Sequence, residues 1–285
     1  MKNRKILLAG ATGYLGKHIL KVLDKNKEQT RVLARNTKKL EAFSESHIDI
    51  KIAEVTKPET LINICNDIDI VISTIGITRQ KDGLTYMDVD YKANKNLLDE
   101  AIKAKVKHFV YVSAINGDKY KHLKIFEAKE KFVSELKSSG LQYTIVRPNG
   151  FFSDMKDFLQ MAKSGRVYLF GKGNQKFNPI HGEDLAHFIY GLLHKNLKEI
   201  SVGGPDILSL NEIGKMALQA NNKPIKITHL PDCIRKFTIW SLRKFTSVKT
   251  YGPIEFFLTL MTKDNIAPQY GNQKLINFFN NSSKQ

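Results

Sequence analysis

The chain predicts an α/β fold built on a doubly wound parallel sheet, and three observations carry that prediction. The apolar run Ile6-Leu7-Leu8-Ala9 passes directly into Gly10-Ala11-Thr12-Gly13-Tyr14-Leu15-Gly16. Beyond that turn Leu15, Ile19, Val22 and Leu23 recur at helical spacing. Later runs such as Ile70-Val71-Ile72 and Phe109-Val110-Tyr111-Val112 are apolar at successive positions, which suits strands covered on both faces and joined by right-handed crossovers.

The first strand is expected at residues 5–9 and the first helix at 14–25. Between them, Gly10 permits a tight turn, Gly13 lets backbone approach an anion, and Gly16 lets helix and strand pack closely. The free N–H groups and positive dipole end of the new helix then face a diphosphate, as in dinucleotide binding. The spacing is G-x-x-G-x-x-G rather than G-x-G-x-x-G, so the strand–turn–helix context carries the reading. Thr12, Tyr14 and Leu15, between and beside the glycines, are expected at the nucleotide with them.

Further strands are expected at 30–34, 48–53, 69–73, 108–113 and 142–147, and helices at 58–65, 92–103 and 126–138. After Pro148 the pattern changes. A short helix is expected at 153–162, a glycine-bearing loop through 165–173, a helix at 185–194 headed by Asp184, and a strand near 200–205. Residues 1–150, with 178–205 returning to them, read as the dinucleotide-binding domain. Residues 206–285, with 151–177, read as a smaller substrate-facing C-terminal region.

The 285 residues carry a net charge of +17, but the lysines are scattered, with no arginine-rich arm or basic block interleaved with aromatics. That distribution argues against a nucleic-acid partner. Cys65 and Cys233 lie far apart, so neither a disulfide framework nor a metal site is expected, and a reducing, cytoplasmic location fits. The N-terminal apolar run is short and enters the glycine turn at once, so it reads as a strand rather than a signal peptide. Residues 237–261 are rich in aromatics but interrupted by Arg243, Lys244, Lys249 and Gly252-Pro253. No membrane span fits there. A packed lid and a helix lying on a membrane surface both remain open. Oligomeric state is not legible.

The second strand ends Arg31-Val-Leu-Ala-Arg35-Asn36, with no acid across 30–37 and with Lys38 and Lys39 beyond. A carboxylate there would bond the ribose hydroxyls of NAD(H), whereas Arg35 can pair with a 2′-phosphate. NADP(H) is therefore the expected cofactor, with NAD(H) still open.

These residues resemble the short-chain dehydrogenase/reductase superfamily in its atypical, NAD(P)-binding Rossmann branch. Gly10–Gly16 is similar to its glycine motif. Phe109-Val-Tyr-Val-Ser113-Ala resembles its fifth strand with the active-site serine region, and Ser139-Gly-Leu-Gln-Tyr-Thr-Ile-Val-Arg147-Pro148 its sixth. Gly165-Arg-Val-Tyr-Leu-Phe-Gly-Lys-Gly, Ile180-His-Gly-Glu-Asp-Leu-Ala, Val202-Gly-Gly-Pro and Ile266-Ala-Pro-Gln-Tyr-Gly resemble the divinyl (proto)chlorophyllide reductase-like, NmrA-like subgroup. The resemblance implies that Glu54 and Val55 meet adenine and that Ile75 and Gly76 lie against the adenosine ribose. It further implies that Pro148, Asn149, Gly150 and Phe151 fold around the nicotinamide, and that Ser113 bonds substrate or cofactor.

The superfamily's Tyr-x-x-x-Lys pair shares one helix face, and its lysine lowers the tyrosine pKa. The matching stretch here is Ile125-Phe-Glu-Ala-Lys129: the lysine is kept and the tyrosine is isoleucine. A literal Tyr120-x-x-x-Lys124 lies upstream, with a spacing to Arg147 that fits poorly. Projected on a helix, Ile125, Phe126, Phe132, Val133 and Leu136 fall within about 60° of Lys129, and Glu127, Glu130, Lys131 and Glu135 on the remaining circumference. An ammonium in the middle of an apolar stripe is expected to reach a partner, the cofactor's ribose hydroxyls or a substrate, unless it snorkels past the stripe to solvent. Lys129 and Ser113 are the candidate catalytic residues. His181 reads either as a proton donor or as a structural histidine.

The expected function is reduction of a C=C or C=O bond in a small or medium hydrophobic molecule at the expense of NADPH. The alternatives are a non-catalytic NADP(H)-binding redox sensor or scaffold and, with less support, an epimerase or dehydratase of nucleotide sugars.

Overall fold

The computed structural model describes residues 4–43, 46–79 and 83–283. In chain order its elements are β1 (Lys5–Ala9), α1 (Tyr14–Lys25), β2 (Gln29–Ala34), β3 (Ile48–Ile52), β4 (Ile70–Ser73), α2 (Asn94–Lys103), β5 (His108–Val112), α3 (Lys124–Ser138), β6 (Gln142–Pro148) and α4 (Lys156–Lys163). They continue as β7 (Val167–Phe170), β8 (Lys176–Phe177), α5 (Gly182–Leu192), β9 (Glu199–Val202), β10 (Leu208–Ser209), α6 (Leu210–Ala220), β11 (Ile227–Leu230), α7 (Asp232–Phe245), α8 (Val248–Leu260) and α9 (Leu275–Ser283). The chain divides into two units: residues 1–147 with 186–200, and residues 148–185 with 201–285. Residues 148–150, 178–185 and 201–205, expected with the first region, fall in the second unit.

The first unit is the doubly wound α/β sheet that the sequence predicts. Its strands lie in the order β3-β2-β1-β4-β5-β6, with β9 beyond β6. The pairs from β3 to β6 are parallel. The strand order reverses between β1 and β4, the switch point outside which such sheets bind ligands at their carboxyl ends. The central strands are buried along their length because both faces are covered: Leu7, Val71, Phe109, Tyr111 and Ile145 pack with Leu97, Ala101, Phe132, Val133 and Leu136 in one core. The Tyr111 ring meets Phe132 edge-on at 4.6 Å.

Two expected helices differ. Only a 3-10 turn, Pro58–Leu61, forms within 58–65. Asn63 and Asp67 then adopt positive φ, which their short polar side chains tolerate and a helix does not. The helix expected at 92–103 starts earlier, with a wide π-helical stretch over Met87–Ala93 running into α2. Such widened turns often mark functional sites.

In the second unit, β7 pairs with β11 in parallel and β8 with β10 antiparallel. Both pairs fall in stretches expected to be loop or irregular tail. Strands of two to four residues, paired across long sequence separations, leave little local pattern. Helices α4, α6 and α9 enclose a core of Phe158, Leu159, Leu169, Ile213, Ala217 and Phe279. Ser209 and Glu212 close a reciprocal capping box at the start of α6.

Candidate functional site

The carboxyl ends of β1 and β4 lie level in the first unit, Ala9 opposite Ser73. Gly10 turns the chain with φ +88°, and a Cβ there would come within 2.5 Å of Thr74 Oγ1. Gly16 is tighter: its Cβ would stand 2.1 Å from the Gly10 carbonyl oxygen. Gly13 N–H donates to that same oxygen at 3.0 Å and closes the turn. Gly13 is also the N-cap of α1 and has no side chain to cap it, and no acid lies in the helix's first turn. The positive end of α1 is thereby left for an external anion. A tight glycine turn that leaves no room for a Cβ at Gly10 or Gly16, under a helix start with no side-chain cap, fits a dinucleotide diphosphate. Thr12 and Tyr14 are half-buried beside it, while the Leu15 side chain is buried in the core.

Arg35 is exposed at the end of β2. Glu54 follows β3. Its carboxyl is held below the usual carboxylate range by the hydrogen bond from Lys57, with Thr56 and the Arg35 charge adding to it. Val55 is partly buried, and its carbonyl accepts from Asn96 Nδ2 at 3.1 Å. Ile75 is buried and its carbonyl accepts from Asn94 Nδ2. Asn94 also binds Ser73 Oγ at 2.5 Å and the Asp90 carbonyl at 3.0 Å, which ties the end of β4 to the π-helical stretch.

That tie brings Gly76 to Lys129. A Cβ on Gly76 would come within 2.8 Å of both Lys129 Nζ and Asp90 Oδ1. Lys129 Nζ stands 2.7 Å from Asp90 Oδ1; the lysine side chain is 12% exposed and the aspartate 0%. Asp90 Oδ2 accepts from the Ile77 N–H at 3.3 Å. Burial works against the ammonium, but Asp90 and the Tyr111 phenol beside it overcome that and hold Lys129 above the ordinary lysine range. Burial pushes the Tyr111 phenol up to about 12. Ile125, expected at the position of the superfamily's tyrosine, is buried.

The upstream pair does not share one helix. Tyr120 lies on the 3-10 turn Gly117–Tyr120 and stacks on Phe126, while Lys124 pairs with Glu127 at 2.8 Å on the surface. Ser113 Oγ has its own partners: it accepts from Arg147 Nη1 at 3.3 Å and donates to Glu130 Oε1 at 3.5 Å. Glu130, expected on the polar side of its helix, is buried and grips Arg147 through two bonds of 2.6 and 2.9 Å. Arg147 also pairs with Glu199. Burial opposes the guanidinium charge, but the two carboxylates raise its pKa regardless. Gly117 packs so close to this pair that a Cβ would meet Glu130 Oε1 at 2.2 Å.

In the second unit Pro148 ends β6. Asn149 is buried, and its amide donates to Asn178 Oδ1 at 2.7 Å and to the Asn265 carbonyl at 2.5 Å. Its side chain is spent on holding the unit together. Gly150 is exposed; Phe151 is half-buried and bridges to Ile180. His181 sits among aromatic rings, 5.5 Å from Phe152 and 6.0 Å from Phe278. Burial lowers its pKa.

Sequence reasoning missed Asp90, Tyr111 and the Glu130–Arg147 pair. A signal for the first was present: Asp90 and Asn94 interrupt the buried stripe Tyr86, Val89, Ala93, Leu97 at helical spacing. A carboxylate in such a stripe calls for a cation.

Fold and site together define a dinucleotide-binding protein of the doubly wound class, its anion turn and a buried lysine sharing the carboxyl edge of the sheet. A family model described as NAD(P)H-binding matches residues 10–196, and the chain belongs to that family. It is 27% identical over 319 residues to the divinyl chlorophyllide a 8-vinyl-reductase of Arabidopsis thaliana, covering 98% of this chain and 76% of that protein. It is 33% identical over 150 residues to the photosystem II assembly factor Ycf39 of Cyanophora paradoxa, covering 53% of this chain and 46% of that one. Among solved structures, AtPrR2 with NADP+ and (+)pinoresinol superposes with a TM-score of 0.78 at 16% identity, over 98% of this chain and 99% of that one. A nucleoside-diphosphate-sugar epimerase from Staphylococcus aureus does so with 0.76 at 16% identity, over 97% and 99%. These two likenesses show the fold.

Proposed function

We propose that this protein is an NADPH-dependent reductase acting on a conjugated C=C bond in a hydrophobic small molecule. The observation that carries the reading is the Lys129 ammonium, held charged by Asp90 against Gly76 at the carboxyl edge of the sheet. When bound, the nucleotide supplies the hydride. An ammonium has three N–H donors, and Asp90 and the Tyr111 phenol beside it engage only part of them. The remaining surface of Lys129 is free to orient a ribose hydroxyl or to meet an oxygen that gains charge. In an enone, hydride adds at the β carbon, the π electrons move to the carbonyl oxygen, and a proton from water completes the α carbon. Such a reaction needs a fixed cation at that oxygen more than a tyrosine acid, and here the tyrosine is Ile125. The relative named as an 8-vinyl-reductase supports C=C chemistry. The absence of acid and the presence of Arg35 at the end of β2 support NADP(H) over NAD(H).

The test is NADPH consumption with a panel of enones, vinyl-substituted aromatics and simple ketones, in the parent protein and in Lys129→Ala. Turnover of conjugated acceptors that Lys129→Ala loses, with nucleotide affinity largely kept, is the expected result. A second reading, a nucleotide-binding assembly or sensor protein without catalysis, draws on Ile125 and on the likeness to an assembly factor. Tight NADPH binding without turnover on any acceptor, together with a protein partner captured only with nucleotide, overturns the first reading in favour of the second.

A further inference from the structure

We propose that α7 docks the protein onto an anionic lipid surface. The helix, Asp232–Phe245, buries none of its residues. Every exposed Phe or Trp ring among the described residues lies on it: Phe237 is 65% exposed, Trp240 54% and Phe245 71%. Ile234, Phe237, Trp240 and Phe245 fall within an arc of about 140° at 100° per residue, so they form one stripe. Phe237 and Trp240 touch, with ring centres 5.8 Å apart. Inside the same arc Lys244 holds its ammonium over Trp240 at 5.2 Å and over Phe245 at 5.5 Å.

The charge around this stripe selects the occupant. Between Asp232 and Leu260 there are five cations, Arg235, Lys236, Arg243, Lys244 and Lys249, against two carboxylates. Both carboxylates are already engaged: Asp232 with Arg235 at 2.6 Å and Lys236 at 3.3 Å, and Glu255 with Arg243. The surface that remains is aromatic and positive. A second copy of the chain would set two such positive faces together. An anionic headgroup layer answers both properties at once, since aromatic rings settle at headgroup depth and lysines pair with the lipid charge. The geometry is that of a helix lying in the surface rather than crossing it. Fourteen residues span about 21 Å, short of the roughly 30 Å hydrocarbon layer. No helix among the described residues is long and apolar enough to cross. This settles on one of the two alternatives that residues 237–261 left open in the sequence, and it is independent of the reductase reading.

Trp240 is the only tryptophan in the chain, so tryptophan fluorescence, excited selectively over the tyrosines, reports on this helix alone. The full chain is titrated, without nucleotide, with vesicles of phosphatidylglycerol and phosphatidylcholine, with phosphatidylcholine alone, and with brominated phosphatidylglycerol. The expected result is a blue shift with phosphatidylglycerol vesicles, quenching by the brominated lipid, co-sedimentation, and release by high salt. Lys244→Gln with Lys249→Gln weakens partitioning about 25-fold, at about fivefold per charge near the surface. Phe237→Ser with Phe245→Ser abolishes it while circular dichroism and NADPH affinity stay unchanged. Absence of a shift with phosphatidylglycerol vesicles overturns the proposal, and so does equal binding to neutral phosphatidylcholine. A lipid-free shift that grows with protein concentration and follows a dimer mass makes a second copy the occupant and overturns it as well.

Discussion

Lys129 Nζ stands 2.7 Å from Asp90 Oδ1, an ion pair joining a helix and a π-helical stretch, with the aspartate wholly buried. Removing one partner strands the other. Lys129→Met is expected to lower stability by about 3–5 kcal/mol, and the double change Lys129→Met/Asp90→Leu to regain most of it. Urea unfolding of the four proteins reads the coupling. Because the folded pKa of Lys129 is raised, its contribution is complete below the ordinary lysine value, about 10.4, and is lost only as pH rises through the folded value. The difference between Lys129→Met and the parent therefore persists at neutral pH.

Arg35 tests the choice of nucleotide. Removing a charge-assisted contact to a 2′-phosphate costs on the order of 1.5–3 kcal/mol, roughly a 10- to 150-fold loss of affinity. Arg35→Ala is expected to weaken NADPH by that factor and to leave NADH nearly unchanged. Nucleotide fluorescence titrations measure both. Equal losses for the two nucleotides would remove Arg35 from the phosphate.

The glycine turn has its own signature. Gly16→Ala places a methyl 2.1 Å from a backbone oxygen, which no rotamer relieves, so nucleotide binding and thermal stability should fall together. Gly191→Ala, within α5 and with open space around the position, should instead gain about 0.5–1 kcal/mol. Thermal melts with and without NADPH separate the two cases.

His108 governs an acid limb. Burial lowers its pKa, while its ring bonds Thr144 Oγ1 at 2.9 Å. The unfolded chain therefore takes up a proton near the ordinary value of about 6.5, before the folded chain does. Stability is full above that value and falls as pH drops below it. His108→Gln, which bonds Thr144 without titrating, should flatten the decline in a series of urea unfolding curves.

Tyr120→Phe should leave turnover intact. The ring stacks on Phe126, and Lys124, its partner in the literal motif, is engaged by Glu127. Loss of activity in that variant alone would move the working helix face away from Lys129.

Some of the site is legible in the sequence, because some of it is local. The turn from Gly10 to Gly16 is contiguous, and glycine spacing together with strand and helix periodicity sufficed to read it. Lys129 was legible as a charge in an apolar stripe, which says that a partner exists without saying which. Asp90 lies 39 positions away, and its approach depends on a widened helical turn that no residue pattern announces. Glu130 reads as a surface acid on its own helix and is buried because Arg147 arrives from β6. Asn149, read as a cofactor contact, has its amide taken by Asn178 and Asn265.

By itself the sequence determined the doubly wound sheet, the glycine turn and a lysine set in an apolar helix stripe, since each is written in neighbouring residues through backbone sterics and hydrophobic period. Tertiary structure alone decided which carboxylate answers that lysine, which arginine answers Glu130, and that the aromatic stripe of α7 stays uncovered. Charges buried in pairs and faces left bare depend on what distant segments bring to them, and a linear pattern carries no record of that approach.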